Sequence, residues 1–191
     1  MEDIYIEGAI FEKRDFTKEQ IAKGEYENCS FMTCNFSNTD LSGIQFTACI
    51  FDTCNLSVAK LTGTAFRDIV FKNCKMQGLH VDHCKQFGLS FSIENCLLDH
   101  CSFFKTTLKK TSFKNSRLHE VDFTECDLSL SVLDYCDLLN ATFDHTILEK
   151  ADFRNSYNYS IDPDKNSIKK AKFSLEGISG LLDKYDITVE K

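Results

Sequence analysis

The sequence predicts an all-β solenoid of twenty-residue turns, each turn having four sides of five residues. Three observations predict it. From Ile6 through Phe11, Phe16, Ile21 and Tyr26 to Met76 and Val81, every fifth residue is apolar or aromatic, sixteen positions without a miss. With apolar residues at 42% of the chain, chance gives such a run about once in a million starts. A second order lies at twenty. Phe11, Phe31, Phe51, Phe71 and Phe91 are all Phe; Leu98, Leu118 and Leu138 are all Leu; Phe103, Phe123 and Phe143 are again all Phe. A period of five fits neither a helix nor a strand. Like residues twenty apart mean that each coil lies on the last. Third, the residue two before each beat is small: Cys29, Cys34, Thr39, Cys49, Cys54, Ala59 and Thr64, and later Cys101, Thr106, Thr111, Ser116, Cys126 and Ser131. One large and one small inward residue per side can fill a narrow interior at crystal-like density.

Residues 1–155 carry this repeat. The first coil, to about residue 26, keeps the beat but places Arg14 and Glu19 on small positions. It reads as a cap on the open edge, since terminal repeats are atypical. Residues 27–81 are the cleanest repeats. Residues 82–97 break the phase: Gln86 stands where a large apolar residue is due, Phe91 keeps the old phase, and Leu98 follows seven residues later. Phe87, Leu89 and Ile93 are alternative inward anchors there. From Leu98 to Phe153 the beat resumes two residues out of step. This gives seven to eight coils, a rod roughly 35 Å long at about 4.8 Å per coil.

Residues 156–191 differ. A polar stretch through Ser167, holding the only proline, Pro163, reads as a loop. Ile168 and Phe173, with Ala171 on the small position, return for one more side. Ser174 then reads as the N-cap of a short C-terminal helix. Leu175, Ile178, Leu181, Leu182 and Tyr185 follow at near-helical spacing, and Ile187 and Val189 close an extended tail. Such a helix covers the last coil's edge and leaves apolar surface over. These seven residues are therefore expected to form the interface of a twofold dimer.

The ten cysteines test the solenoid against a sharper reading. Cys29 and Cys34, followed by Cys49 and Cys54, could be taken for a four-thiolate zinc site. The spacing, however, equals the repeat and recurs at Cys96 and Cys101, so the thiols are expected to be buried fillers. His80, His83, His100, His119 and His145 fall mostly on outward positions and share no column, which favours solvated surface over ligands or bases. The sequence has no phosphate-binding glycine loop and no nucleophile or zinc-hydrolase motif, and a filled interior offers no substrate pocket. Neither enzyme activity nor a cofactor or metal is expected. The net charge of -7 disfavours direct binding to nucleic acid. The absence of a long apolar run disfavours the membrane. The N-terminus shows no secretory signal, so a cytoplasmic location with reduced thiols is expected.

Segments such as Cys34-Asn35-Phe36-Ser37, Thr39-Asp40-Leu41-Ser42, Cys126-Asp127-Leu128-Ser129 and Ala151-Asp152-Phe153-Arg154 resemble the A-(D/N)-L-x-x unit of pentapeptide-repeat proteins. The resemblance covers residues from about 6 to 173. It implies a right-handed quadrilateral β-helix. In repeat, phase break and apolar C-terminus the chain is similar to the quinolone-resistance (Qnr) type. That likeness implies a dimeric rod of DNA-like width and charge that binds type II topoisomerase, either DNA gyrase or topoisomerase IV. The other expectation is a protein-interaction scaffold with an unrelated partner. Acids and bases balance over residues 11–81, with eight of each, and acids lead by ten to seven over 97–155.

Overall fold

A computed structural model describes residues 4–188. The chain is an all-β parallel solenoid of about seven turns. One parallel sheet has four strands, Ile4–Glu7, Gly24–Glu27, Gln45–Thr47 and Ala65–Arg67. The other has seven: Ile10–Glu12, Ser30–Met32, Ile50–Asp52, Ile69–Lys72, Phe91–Glu94, Ser112–Lys114 and Val132–Asp134. Two further columns are held by isolated parallel bridges, among them Asp15–Asn35–Asn55–Lys75 and His80–Ser102–Asp122–Thr142. Each column thus pairs residues one coil apart, which is the twenty-residue period expressed as hydrogen bonding.

Stacking follows from that register. Phe31 lies 4.8 Å from Phe11 and 4.8 Å from Phe51, with ring planes 7° and 10° apart. Phe16 stacks on Phe36 at 4.6 Å, and Phe103 on Phe123 at 5.2 Å. Rings of adjacent columns meet edge to face, as Phe46 and Phe51 do at 5.3 Å and 75°, the arrangement the aromatic quadrupole favours.

The small inward position has its own reason. At many of these positions the side chain donates to the carbonyl of a large residue in the preceding coil. Thr64 Oγ1 reaches Leu41 O at 2.8 Å, Ser131 Oγ reaches Leu108 O at 2.7 Å, and Thr146 Oγ1 reaches Phe123 O at 2.8 Å. Cysteine does the same with its weaker donor: Cys54 Sγ to Phe31 O at 3.2 Å and Cys74 Sγ to Phe51 O at 3.3 Å. The slot accepts a residue short enough to fit between coils and selects one with a donor to give.

The corners also repeat. Two residues after each beat the backbone turns left-handed, at Asn28, Thr33, Asn38, Ala48, Thr53, Val58, Asn73 and onward. Asparagine adopts this region at little cost, whereas a β-branched residue is strained there. Val58, with φ 55° and an exposed side chain, is the strained member of a column whose neighbours one coil away are Asn38 and Gly78. Val58→Asn is expected to raise stability by about 0.5–1 kcal/mol, read as a shift in the urea midpoint at unchanged slope. A loss would mean that the valine side chain contributes packing that outweighs its backbone strain.

Three expectations need correction or sharpening. The phase break is narrower than 82–97. Gly63 N still bonds His83 O, whereas Ile69 pairs with Phe91 and Phe71 with Ile93. The two extra residues therefore enter between His83 and Ser90, on the side bearing the four-stranded sheet, which ends there. Of the alternative anchors, Ile93 takes the beat, Leu89 is half-buried and Phe87 is 89% exposed. Phe91 does not keep the old phase. It occupies the slot two before the beat, beside Ile69 of the preceding coil in a column otherwise holding Cys29, Cys49, Thr111 and Ser131, because Gln86 leaves the adjacent side without a large residue. Its ring fills that volume, edge-on to Phe71 at 6.2 Å and tilted on Phe103 at 6.3 Å.

The stretch expected as a loop is partly core. Ser156, Tyr159, Ile161 and Asn166 are buried. Asn166 takes a small slot: its amide donates to Phe143 O at 3.0 Å and its oxygen accepts from Thr146 N at 2.8 Å.

The C-terminal helix is replaced by two short 3-10 turns, Ile178–Leu181 and Asp183–Tyr185. Ser174 is not the N-cap of the first of these turns: Gly177 holds that position without a side-chain cap, and Ser174 Oγ accepts the Gly177 N–H at 3.1 Å one turn earlier. The helix does not propagate because Gly177 and Gly180 lie against Tyr159 and because the Gly180 carbonyl accepts the Ile161 N–H at 2.8 Å. Glycine costs about 1 kcal/mol in a helix interior, and a carbonyl engaged by the last coil is lost to the intrahelical ladder.

Candidate interaction surface

With the interior filled by stacked rings, function is left to the outer walls and the tips. All ten cysteines are buried and free. Burial pushes the Cys84, Cys101, Cys126 and Cys136 thiols up to about 12 and Cys49 up to about 11. They stay protonated at neutral pH, the form that neither attacks nor ligates well.

On the walls, charges pair across coils. Lys105 lies 3.4 Å from Glu125, His100 3.3 Å from Glu120, Lys60 3.9 Å from Asp40, and Lys172 3.6 Å from Asp152. Acids on these columns are followed one coil away by bases rather than by further acids. Each exposed pair adds little stability, but together they interrupt any phosphate-like row.

The best-held charge lies beside the phase break. Asp99, 6% exposed, accepts from Arg117 Nε at 2.8 Å and from Gln77 Nε2 at 2.9 Å. Burial pushes its carboxyl up, but the Arg117 guanidinium and the Gln77 amide outweigh it and hold it below the usual carboxylate range. A depressed folded-state value stabilises above the unfolded value, near pH 4, and the contribution is lost as pH falls through the lower folded one. Asp99→Asn is therefore expected to cost about 1–3 kcal/mol at pH 7 and to flatten the decline in urea midpoint between pH 5 and pH 3. A decline as steep as in the unsubstituted chain would assign acid sensitivity to other carboxylates.

The C-terminal tip carries the expected interface residues. Leu175 is 83% exposed; Tyr185 and Ile187 are more than half exposed; Ile178 is exposed at 38%. Leu182 is half-buried. Leu181 is buried and turned onto the core, so within one chain it supports the patch from below. Val189 lies outside the described residues. Lys184 ties the tip to the preceding stretch, pairing with Asp162 at 2.7 Å and with Asp164. Beside it, an open groove of about 370 Å³ runs between Tyr157, Tyr159, Gly177 and Asp183.

Of the five histidines set aside as surface, two come together with Asp82; the sequence signal was His80-Val81-Asp82-His83, read across a turn rather than down a column. No helix among the described residues is long and apolar enough to cross a membrane.

Comparison with known proteins gives the repeat and the fold. Residues 96–134 and 122–157 match the family model "Pentapeptide repeats (8 copies)". Among solved structures, the chain is similar to a trypsin-treated form of QnrB1, a plasmid-mediated fluoroquinolone resistance protein, with TM-score 0.63 and 21% identity over 98% of both chains. Full-length QnrB1 aligns with TM-score 0.57 and 19% identity, over 96% of this chain and all of that one. A second trypsin-treated form gives 0.56 and 21%, over 98% and 92%. No curated protein sequence matches.

Proposed function

We propose that this chain, whose residues 96–157 match the pentapeptide-repeat model, is a pentapeptide-repeat protein along its length and works as a non-enzymatic docking rod in the cytoplasm, binding DNA gyrase or topoisomerase IV and altering their sensitivity to quinolones. The observation that carries the reading is the likeness in fold to QnrB1 along nearly the whole of both chains. The filled interior supports it too, because it leaves binding rather than catalysis as the available work. The reading includes the right-handed quadrilateral form of the coil and a twofold dimer through the C-terminal tip, where Leu175, Ile178, Tyr185 and Ile187 are exposed together. Partner contact falls to the side walls and to the outward segment around Phe87.

The test is a supercoiling assay with purified gyrase, with and without a fluoroquinolone. Inhibition, or protection from the drug, at micromolar protein is the expected result. Neither effect, together with no gyrase binding at that concentration, removes the reading. The dimer is tested separately: Leu175→Asp with Tyr185→Asp is expected to give a folded monomer by light scattering, and a persisting dimer places the interface elsewhere.

The pairing of acids with bases across coils favours a second reading, a scaffold for a partner unrelated to topoisomerases. A wall of alternating sign is poorly suited to a site that binds DNA phosphates. Pull-down from native lysate separates the two, since recovery of gyrase counts against the scaffold.

A further inference from the structure

We propose that His80, Asp82 and His83 form a binding site for one divalent transition-metal ion of the zinc class, placed at the solenoid's phase break. The ligand atoms of the three residues all lie within 4.8 Å of one another. Asp82 Oδ1 is 3.3 Å from His80 Nδ1, and Asp82 Oδ2 is 3.6 Å from His83 Nε2. Two ligands bound tetrahedrally at about 2.1 Å stand about 3.4 Å apart, so neither pair must move far to share an ion. The imidazoles are parallel, with centroids 4.9 Å apart and planes 13° apart, and both edges face the carboxylate.

Two further observations point to a ligand. Asp82 Oδ1 is buried and has no hydrogen-bond donor, an arrangement that costs energy unless something satisfies the oxygen. The turn carrying the three residues is also held from both sides before any ion arrives. Val81 is buried, its N–H bonds Ser102 O in the next coil, and Gly63 N in the previous coil bonds His83 O. Within the turn, His83 N bonds His80 O at 3.2 Å and Cys84 N bonds Val81 O at 3.0 Å. A rigid backbone lowers the ordering cost of ligation.

Two imidazoles and one carboxylate suit zinc-class ions, and three protein ligands leave a fourth position for water or for a side chain of a partner. Both histidines are exposed, so that position faces solvent. A bound ion would fix one end of the 82–90 segment, the irregular side at the phase break, with Phe87 displayed four residues after His83. It would make that segment's presentation metal-dependent.

The experiment is calorimetric titration of chelator-stripped full-length protein with Zn²⁺, repeated with the His80→Ala/His83→Ala double variant and with Asp82→Asn. One ion per chain with micromolar or tighter affinity is expected, with no measurable binding in the double variant and weakening of about tenfold or more in Asp82→Asn. Both histidines are exposed and Asp82 is partly buried, and matching circular dichroism spectra establish that the variants fold. Co²⁺ in place of Zn²⁺ should give ligand-field bands without thiolate charge transfer, which separates this site from the buried cysteines. No binding, equal binding by the double variant, or a thiolate band would each overturn the assignment.

Discussion

Phe51→Ala is expected to lower stability by about 3–5 kcal/mol. Phe51 is wholly buried and stands mid-column, stacked on Phe31 at 4.8 Å and 10° and on Phe71 at 5.3 Å and 26°. Phe46, Phe36 and Phe66 close round it edge-on at 5.3, 5.8 and 6.4 Å. Removing the ring leaves a void between coils whose spacing is set by ladder hydrogen bonds, so the site cannot collapse to fill it. The outward neighbour is the control. Asp52 accepts from Thr53 and Asn73, each at 2.9 Å, and Asp52→Ala should cost no more than about 1 kcal/mol. In a quasi-one-dimensional stack each coil leans only on its neighbours. The Phe51→Ala urea transition should therefore also broaden, as the coils before residue 51 begin to melt apart from those after it. Similar losses in the two variants would place Phe51 outside the column.

The columns were legible because every side of a coil has one length. A residue's number modulo five then states whether it faces in, and modulo twenty states what it stacks on. Where length changes, that arithmetic gives two answers. Phe91 satisfies the old phase by count, yet packs as a slot residue two before Ile93, because the volume beside it depends on Gln86 pointing outward, a packing fact that no spacing encodes. Tyr159 was hidden because it lies off the count, whereas Ile161 stands on the small-position count between Ser156 and Asn166 and was masked only by the polar residues around it. The C-terminal apolar pattern predicts a helix where the structure has two short 3-10 turns: hydrophobic spacing registers the buried face, not the engagement of the Gly180 carbonyl by Ile161. His80, Asp82 and His83 escaped a column-by-column reading because their meeting is made by a local turn, not by stacking.

Gly180→Val is expected to detach the C-terminal cap. A Cβ at Gly180 would stand 2.0 Å from the Tyr159 carbonyl oxygen and 3.0 Å from its ring. The obstructing atom is backbone, and it belongs to a residue whose side chain is buried against Phe153 and Phe173, so it cannot yield. The tip must lift instead. Lifting breaks the Ile161 N–H bond to Gly180 O, exposes Leu181, and strips Gly177 from the Tyr159 hydroxyl. Overpacking and an orphaned buried donor together should cost about 3 kcal/mol, while Ser179→Ala, at an exposed neighbour, should stay within about 0.5 kcal/mol. Hydrogen exchange locates the effect: the Ile161 amide should lose protection in Gly180→Val while amides of the Phe31 and Phe51 coils keep theirs. With the cap displaced, Leu175, Ile178 and Tyr185 no longer share a surface, so the same variant should sediment as a monomer if the tip is the dimer contact. Retained protection at Ile161 would mean that the last coil holds itself closed without the cap, and the apolar tip would then serve association alone.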